Sequence, residues 1–132
     1  MIINGNLLEE LITKAKESPR LRMSLDLRNG SDDNSQRMLN ALIPGTEVPI
    51  HRHRASSETI ILLSGRIDEV FYDDDGHESA RYALDPQQGL YGMQIPIGQW
   101  HTVDVHEPSV ILEVKDGAYA PALPEDLMIR TN

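Results

Sequence analysis

The sequence contains no cysteine, which excludes a disulfide framework, a thiolate metal site and a cysteine nucleophile. It also lacks long apolar runs, and no stretch approaches the roughly 18 apolar residues of a membrane-spanning helix. The first twenty residues scatter charges among apolar positions, so the uninterrupted apolar run of a signal peptide is missing. These absences predict a soluble, cytoplasmic protein with no membrane partner, in which any metal ion is held by nitrogen and oxygen atoms.

Positive charge is scarce as well. Twelve basic residues against 21 acidic ones leave a net charge of -9, which repels a phosphate backbone, so no nucleic-acid partner is expected. Nine of the twelve basic residues are arginine, a bias that suits pairing with carboxylate or phosphate groups of a small ligand. The same arginines could equally form surface ion pairs. A length of 132 residues predicts a single domain over residues 1–132.

The apolar periodicity predicts one helix followed by short strands. Residues 6–17 place apolar side chains on one helical stripe, with Asn6 as the candidate N-cap. Short β-type runs separated by turn residues then recur every 8 to 12 residues, a spacing typical of a β-sandwich or barrel. The predicted strands are 37–43, 48–53, 57–63, 65–72, 79–84, 89–95, 100–105 and 109–115. We therefore expect an antiparallel all-β barrel over about 37–115, with a C-terminal tail at 116–132 on its surface.

The segment from Gly45 to Gly65 carries metal-ligating residue types at regular spacing. His51 and His53 are two apart on a predicted strand, so their side chains point to one face. After a short turn, Glu58 begins the next strand and can reach the same interior. Gly45 and Gly65 mark tight turns that call for positive φ. A lone histidine is more often an ordinary polar residue, but three histidines and a glutamate at these spacings favour a metal site.

His101 supplies the third histidine. It follows Pro96 and Gly98, which predict a turn that delivers His101 to the start of a strand facing the first two histidines. Three imidazoles and a carboxylate suit Fe, Mn, Ni, Cu or Zn better than Mg or Ca. An octahedral ion would keep two positions for water or substrate. The acidic run at 73–76 lacks the ligand spacing of a calcium loop and predicts a hairpin turn instead.

These motifs resemble those of a known superfamily. The pattern G-x5-H-x-H-x4-E-x6-G is similar to the first cupin motif without a mismatch, and P-x-G-x2-H is similar to the core of the second. The second motif departs from the cupin pattern at Leu90, where glycine is usual, and at Val105, where asparagine is usual. Stretches that resemble the WbuC-type cupin metalloproteins are the opening helix and residues 18–22, 36–37, 40–42, 71–76, 95–96, 100–103 and 112–115.

The resemblance implies a fold, a metal centre and a class of function. The fold would be the double-stranded β-helix, a jelly-roll barrel, with one N-terminal helix. The divalent transition metal would be held by His51, His53, Glu58 and His101. WbuC-type proteins are associated with O-antigen and other polysaccharide gene clusters, so we expect a metal-dependent enzyme, such as an isomerase or epimerase, acting on a sugar or nucleotide-sugar. An iron-dependent dioxygenase and a non-catalytic small-molecule binding module are alternatives.

Further residues are candidates for catalysis or substrate binding. They are Arg37, Asn40, Tyr91, Trp100, Glu113 and Lys115. Glu113 and Lys115 share a strand face, where they could act as general base and substrate anchor beside a metal. They could equally form a surface cross-strand ion pair worth under about 1 kcal/mol. A homodimer is also expected, because small jelly-roll barrels leave sheet edges that pairing can cover.

Overall fold

The computed structural model describes residues 1–129, which form one α-helix, ten β-strands and two short 3₁₀ turns. The elements are α1 Gly5–Glu17, β1 Arg22–Asp26, β2 Ser35–Leu42, β3 Ile50–His51, β4 Glu58–Ser64, β5 Ile67–Tyr72, β6 Glu78–Leu84, β7 Gly92–Ile95, β8 Trp100–Val105, β9 Ser109–Asp116 and β10 Leu127–Met128, with 3₁₀ turns at Pro86–Gln88 and Pro124–Asp126. No helix in this part of the chain is long and apolar enough to cross a membrane.

Helix α1 begins earlier than its sequence pattern predicts. The N-cap is Asn4 rather than Asn6, because Asn4 has the extended backbone of a cap and its Oδ1 accepts a hydrogen bond from the Leu7 amide at 3.0 Å. Asn6 lies inside the first turn. The helix buries Leu11 and Ala15 in an apolar cluster that covers the outer face of one sheet.

Two five-stranded antiparallel sheets face each other. Their strand orders are β1-β2-β9-β4-β7 and β10-β3-β8-β5-β6. A closed barrel is not formed, because no ladder within residues 1–129 joins the edges of the two sheets. Alternate residues of each strand point between the sheets. The apolar core there consists of Leu42, Ile60, Leu62, Ile67, Phe71, Leu84, Ile95, Val103 and Ile111.

The strand predictions differ from the structure mainly at the sheet edges. Strand β1 was not predicted, and the predicted strand 48–53 is reduced to the two residues of β3. Part of the predicted C-terminal tail forms a strand. Its β10 segment pairs with β3, placing Leu127 opposite His51, so the strand that carries this histidine is flanked on both sides.

Gly65 joins β4 to β5 in a conformation that excludes other residues. Its φ is 94°, and Gly45 has a φ of 98°, as predicted for both turns. A Cβ atom at Gly65 would overlap Oγ of Ser109 and would lie 2.5 Å from the carbonyl oxygen of Pro108. The turn and the start of β9 are therefore packed too closely for any side chain.

Strand β6 lies at a sheet edge and carries an ion-pair cluster. The Arg81 guanidinium contacts three carboxylates, at 2.7 Å from Glu78, 2.8 Å from Asp104 and 3.0 Å from Asp68. These carboxylates belong to β6, β8 and β5, so one side chain links three adjacent strands. The predicted hairpin turn at 73–76 joins β5 to β6, and the Asp73 side chain accepts hydrogen bonds from amides within that turn.

Candidate metal centre

Three imidazoles converge at one end of the space between the sheets. His51 on β3 is the register partner of His101 on β8, and their ring centroids are 4.2 Å apart. His53 lies just past β3, with its ring 5.1 Å from that of His51 and 5.6 Å from that of His101. One nitrogen from each of the three rings lies within 4.8 Å of the others.

Backbone carbonyls hold two of the rings in one orientation. Nδ1 of His51 lies 2.8 Å from the carbonyl oxygen of Pro49, and Nδ1 of His101 lies 2.9 Å from that of Gln99. A carbonyl can only accept, so each Nδ1 carries the proton and each Nε2 keeps a free lone pair. The Gly98 amide also donates to the His53 carbonyl at 2.8 Å, which ties the turn before His101 to the first histidine pair.

Glu58 reaches this cluster from the first position of β4. Its Oε2 atom lies 3.1 Å from Nε2 of His53 and 3.7 Å from Nε2 of His101. Oε2 is buried yet accepts no hydrogen bond from the described residues. Burial alone would raise the pKa of Glu58, but the two imidazoles and a nearby ammonium group hold that pKa below its ordinary value.

The four side chains have the properties of metal ligands. Burial, together with the neighbouring His101, lowers the pKa of His51 to about 4, so its imidazole is neutral at pH 7. Neutral imidazoles and an ionised carboxylate are the forms that bind metal. The unsatisfied oxygen of Glu58 lies 3.7 Å from Nε2 of His101, whose lone pair is free, an arrangement that a divalent cation between them would satisfy. These residues therefore fit a transition-metal ion.

Lys115 and Glu113 lie next to the cluster on β9. Lys115 is the register partner of Glu58, and its Nζ is 3.5 Å from both ring nitrogens of His53. Glu113 points to the same side of the sheet, between the two sheets. The surface ion-pair interpretation is therefore wrong, since both residues face the interior. Burial, and then the charge of Glu58, raise the pKa of Glu113 to about 7.

A third interior carboxylate was missed from the sequence. Glu69 on β5 is 3% exposed, and it lines a cavity of about 50 Å³ together with Glu58, Glu113, His51 and His101. Its pKa is raised well above the ordinary value by burial and by the charges of Glu58 and Glu113. The available signal was a charged residue at an inward position of the apolar strand β5.

Three other candidates lie away from the centre. Arg37 faces the helix-covered side of β2 and pairs with Asp33 at 3.1 Å. Tyr91 is 59% exposed, just before β7. Trp100 packs on the outer face of its sheet, because it precedes the inward-pointing His101 by one residue. Consecutive residues of a strand point to opposite faces of the sheet, so a residue close in sequence to a metal-ligand motif can still point away from the metal centre.

The pKa of Glu113 leads to a testable prediction for the metal-free protein. Because its folded pKa of about 7 exceeds the ordinary 4.5, the carboxyl proton stabilises the fold below pH 4.5, and this stabilisation is lost as the pH rises through 7. Glu113→Gln should therefore raise the free energy of unfolding at pH 8 by on the order of 2 kcal/mol, and by much less at pH 5.

Urea unfolding at the two pH values measures this difference. Glu47→Gln removes the same charge from an exposed site and should show no such pH dependence. An equal effect of Glu113→Gln at pH 5 and pH 8 would contradict the assignment of a raised pKa.

Residues 3–84 match the family described as "Domain of unknown function (DUF6016)". The chain belongs to this family. The matched segment includes three of the four clustered side chains, His51, His53 and Glu58, and ends before His101. No curated protein matches the sequence of this DUF6016 chain.

Solved structures share the fold of this DUF6016 protein. The capsular polysaccharide assembling protein CapF from Staphylococcus aureus is 19% identical over 82% of this chain and 32% of CapF, with a TM-score of 0.61. Oxalate decarboxylase from Bacillus subtilis, a protein with Mn(II) centers, is 20% identical over 77% of this chain and 27% of its own, with a TM-score of 0.59. A cupin superfamily protein from Desulfitobacterium hafniense is 17% identical over 72% of this chain and 76% of its own, with a TM-score of 0.58.

At these identities the similarity concerns the fold alone. It confirms the predicted architecture of two facing antiparallel sheets, whereas the cupin superfamily and the WbuC-type assignment stay predictions. The DUF6016 chain spans about a third of CapF and about a quarter of oxalate decarboxylase.

Proposed function

We propose that this protein binds one divalent transition metal, such as Fe, Mn, Ni or Zn, through His51, His53, Glu58 and His101. The observation that carries the proposal is the buried Oε2 of Glu58, which accepts no hydrogen bond within residues 1–129 and lies against two imidazole nitrogens. In the absence of a cation, a buried charged oxygen without a partner costs free energy. A metal ion is the partner that the surrounding nitrogen lone pairs would share.

The residues around the centre suit chemistry on a small polar molecule. A bound divalent metal would supply Lewis acidity toward a carbonyl or hydroxyl oxygen. Glu113, with its pKa near 7, can hold or release a proton at neutral pH, as a general acid or base must. Lys115 presents an ammonium group beside His53 that can anchor a ligand oxygen. These features favour a metal-dependent enzyme over a module that binds without turnover.

The proposed substrate is a sugar or nucleotide-sugar of polysaccharide biosynthesis, converted by an isomerase or epimerase reaction. Two likenesses support this choice: the sequence resemblance to WbuC-type cupins, and the shared fold with CapF, a capsular polysaccharide assembling protein. An iron-dependent dioxygenase would use the same kind of open site with a redox-active metal. A cytoplasmic location and a homodimeric state likewise stay predictions.

Acid release of the metal tests the ligand set. Protons compete for the same nitrogen lone pairs, so the occupancy of the loaded protein should fall steeply below about pH 6, with more than one proton taken up per ion released. Glu58→Gln removes the carboxylate charge and should move release to higher pH. The measurement is metal retained after dialysis across pH 4 to 8.

Glu47→Gln serves as the charge-matched control and should release metal at the same pH as the parent protein. A flat occupancy down to pH 4, or identical curves for Glu58→Gln and the parent, would show that the ion is held elsewhere. Assay of the loaded protein with candidate nucleotide-sugars, with and without Glu113→Gln, would then separate catalysis from binding.

A further inference from the structure

Two arginines that have no acidic partner among the described residues line a surface depression next to the interior cavity. Within residues 1–129, the side chains of Arg20 and Arg22 make no ion pair and no hydrogen bond. The other six arginines of this region are each paired with a carboxylate: Arg28, Arg37, Arg52, Arg54, Arg66 and Arg81. In a chain of net charge -9, two neighbouring arginines that remain unpaired are an exception.

Arg22 stands between the interior cavity and the surface. On β1, Arg22 and Ser24 are the register partners of Leu42 and Asn40, so they share the face that points between the sheets. Arg22 and Asn40 line the cavity that also contacts His51. The same two residues line a surface depression of about 410 Å³, whose other walls are Ser18, Arg20, Met23 and Ser24.

The charged groups that line this depression are both positive. Its lining residues include two arginines and no acidic residue. Oδ1 of Asn40 accepts from the Ser24 hydroxyl at 3.3 Å, and the Asn40 side chain also forms a hydrogen bond with Glu113 in the interior cavity. Guanidinium groups pair with phosphate and carboxylate through two parallel hydrogen bonds.

The backbone between the two arginines is strained. Leu21 has a φ of 56°, and it is the one residue other than glycine with positive φ in the described part of the chain. This conformation is unfavourable for an L-residue because it brings Cβ close to the following carbonyl oxygen. Hydrogen bonds hold it: the Ile43 amide donates to the Leu21 carbonyl at 3.0 Å, and the Thr46 hydroxyl donates to the Arg20 carbonyl at 2.7 Å. Such enforced strain is found at ligand clamps.

We propose that Arg20, Arg22, Ser24 and Asn40 form a binding subsite for an oxyanion, the phosphate or carboxylate group of a small metabolite. The strained turn fixes the positions of the two arginines, and Asn40 and Arg22 connect the subsite to the interior cavity. The subsite shares no residue with the four clustered side chains and exists whether or not they bind metal. That the anion is part of the substrate of the metal centre rests on the proposed function.

Titration of inorganic phosphate into the full chain, stripped of metal with a chelator, tests the subsite directly. Backbone amide resonances of residue 18 and residues 20–24 should shift in a saturable manner, and Arg22→Gln should weaken the binding by about tenfold or more. Arg66→Gln removes the same charge from an exposed arginine whose partner is 3.8 Å away, and it should leave the affinity unchanged. A parallel titration with acetate identifies which oxyanion binds more tightly.

Further variants separate binding from folding. Arg22→Lys keeps the charge but loses the guanidinium fork, and should bind phosphate with intermediate affinity. Asn40→Asp is nearly isosteric, places a negative charge in the subsite and should abolish binding, whereas Asn29→Asp at an exposed position should not. An absence of saturable shifts in the parent, or equal losses in Arg22→Gln and Arg66→Gln, would overturn the proposal and leave Arg22 as a counter-charge for the interior carboxylates.

Metal content distinguishes this proposal from the proposed function. Arg22→Gln should load as much metal as the parent, because the variant changes none of the four clustered side chains. A parent protein that binds phosphate but no metal would defeat the proposed function and support the subsite. A parent protein that loads metal normally but does not bind phosphate would defeat the subsite and support the proposed function.

Discussion

Replacing His101 with alanine is expected to abolish stoichiometric metal binding, with an affinity at least about a hundredfold below that of the parent. His101 is 3% exposed, its Nε2 lies 3.7 Å from the Glu58 carboxylate, and its Nδ1 is held by a backbone carbonyl. Its removal leaves only two of the three clustered imidazoles to bind the ion. Elemental analysis after reconstitution measures the loss.

His77→Ala is the matched control, since His77 is exposed beside the turn between β5 and β6. It should retain about one equivalent of metal per chain. His53→Ala should lose metal as His101→Ala does. Stoichiometric metal in His101→Ala would refute the four-residue assignment, and thermal unfolding of the metal-free variants would show that they remain folded.

Gly65→Ala should destabilise the protein by roughly 3 kcal/mol or more. An alanine at this position would have to keep a φ of 94°. Its Cβ would also overlap Oγ of Ser109 and the carbonyl oxygen of Pro108, a backbone atom that cannot rotate away. The start of β9 would have to shift, and β9 carries Glu113 and Lys115 further along. Urea unfolding of the metal-free protein measures the change.

Gly117→Ala separates the two contributions. Gly117 has a φ of 93°, almost the same as that of Gly65, but apart from its two chain neighbours no atom of the described residues lies within 4 Å of the position that a Cβ would take there. This variant should lose only the conformational term of about 1 kcal/mol. If both variants lost the same stability, the close contact at Gly65 would contribute nothing.

The convergence of the histidines was predicted from the two-residue period of a strand, by which His51 and His53 share a face. Their rings do lie close together, although β3 ends at His51. The approach of His101 depends in addition on the pairing of β3 with β8. The predicted positive φ at Gly45 and Gly65 followed from turn chemistry.

What could not be predicted depends on contacts between distant segments. Strand β10 forms because Leu127 and Met128 find the free edge of β3, and nothing local in the tail indicates a strand. Arg37 points to the face of its strand that lies away from the metal centre, and it pairs there with Asp33. Tyr91 lies in the segment before β7 and is exposed. The signal for Glu69 was ambiguous, because β5 contains two adjacent acidic residues, Asp68 and Glu69, and the sequence alone did not show which of them faces the interior.

The Arg81 cluster on β6 has a consequence for how the protein behaves in concentrated solution. An edge strand exposes unpaired backbone groups to other molecules, and charged side chains there discourage intermolecular strand pairing. Here the charges are three carboxylates paired with the Arg81 guanidinium. The Arg81 side chain is 38% exposed, so dissolved salt can screen these charges. Purification and storage in concentrated salt should therefore promote aggregation through this edge strand. Low ionic strength should keep the protein free of aggregates.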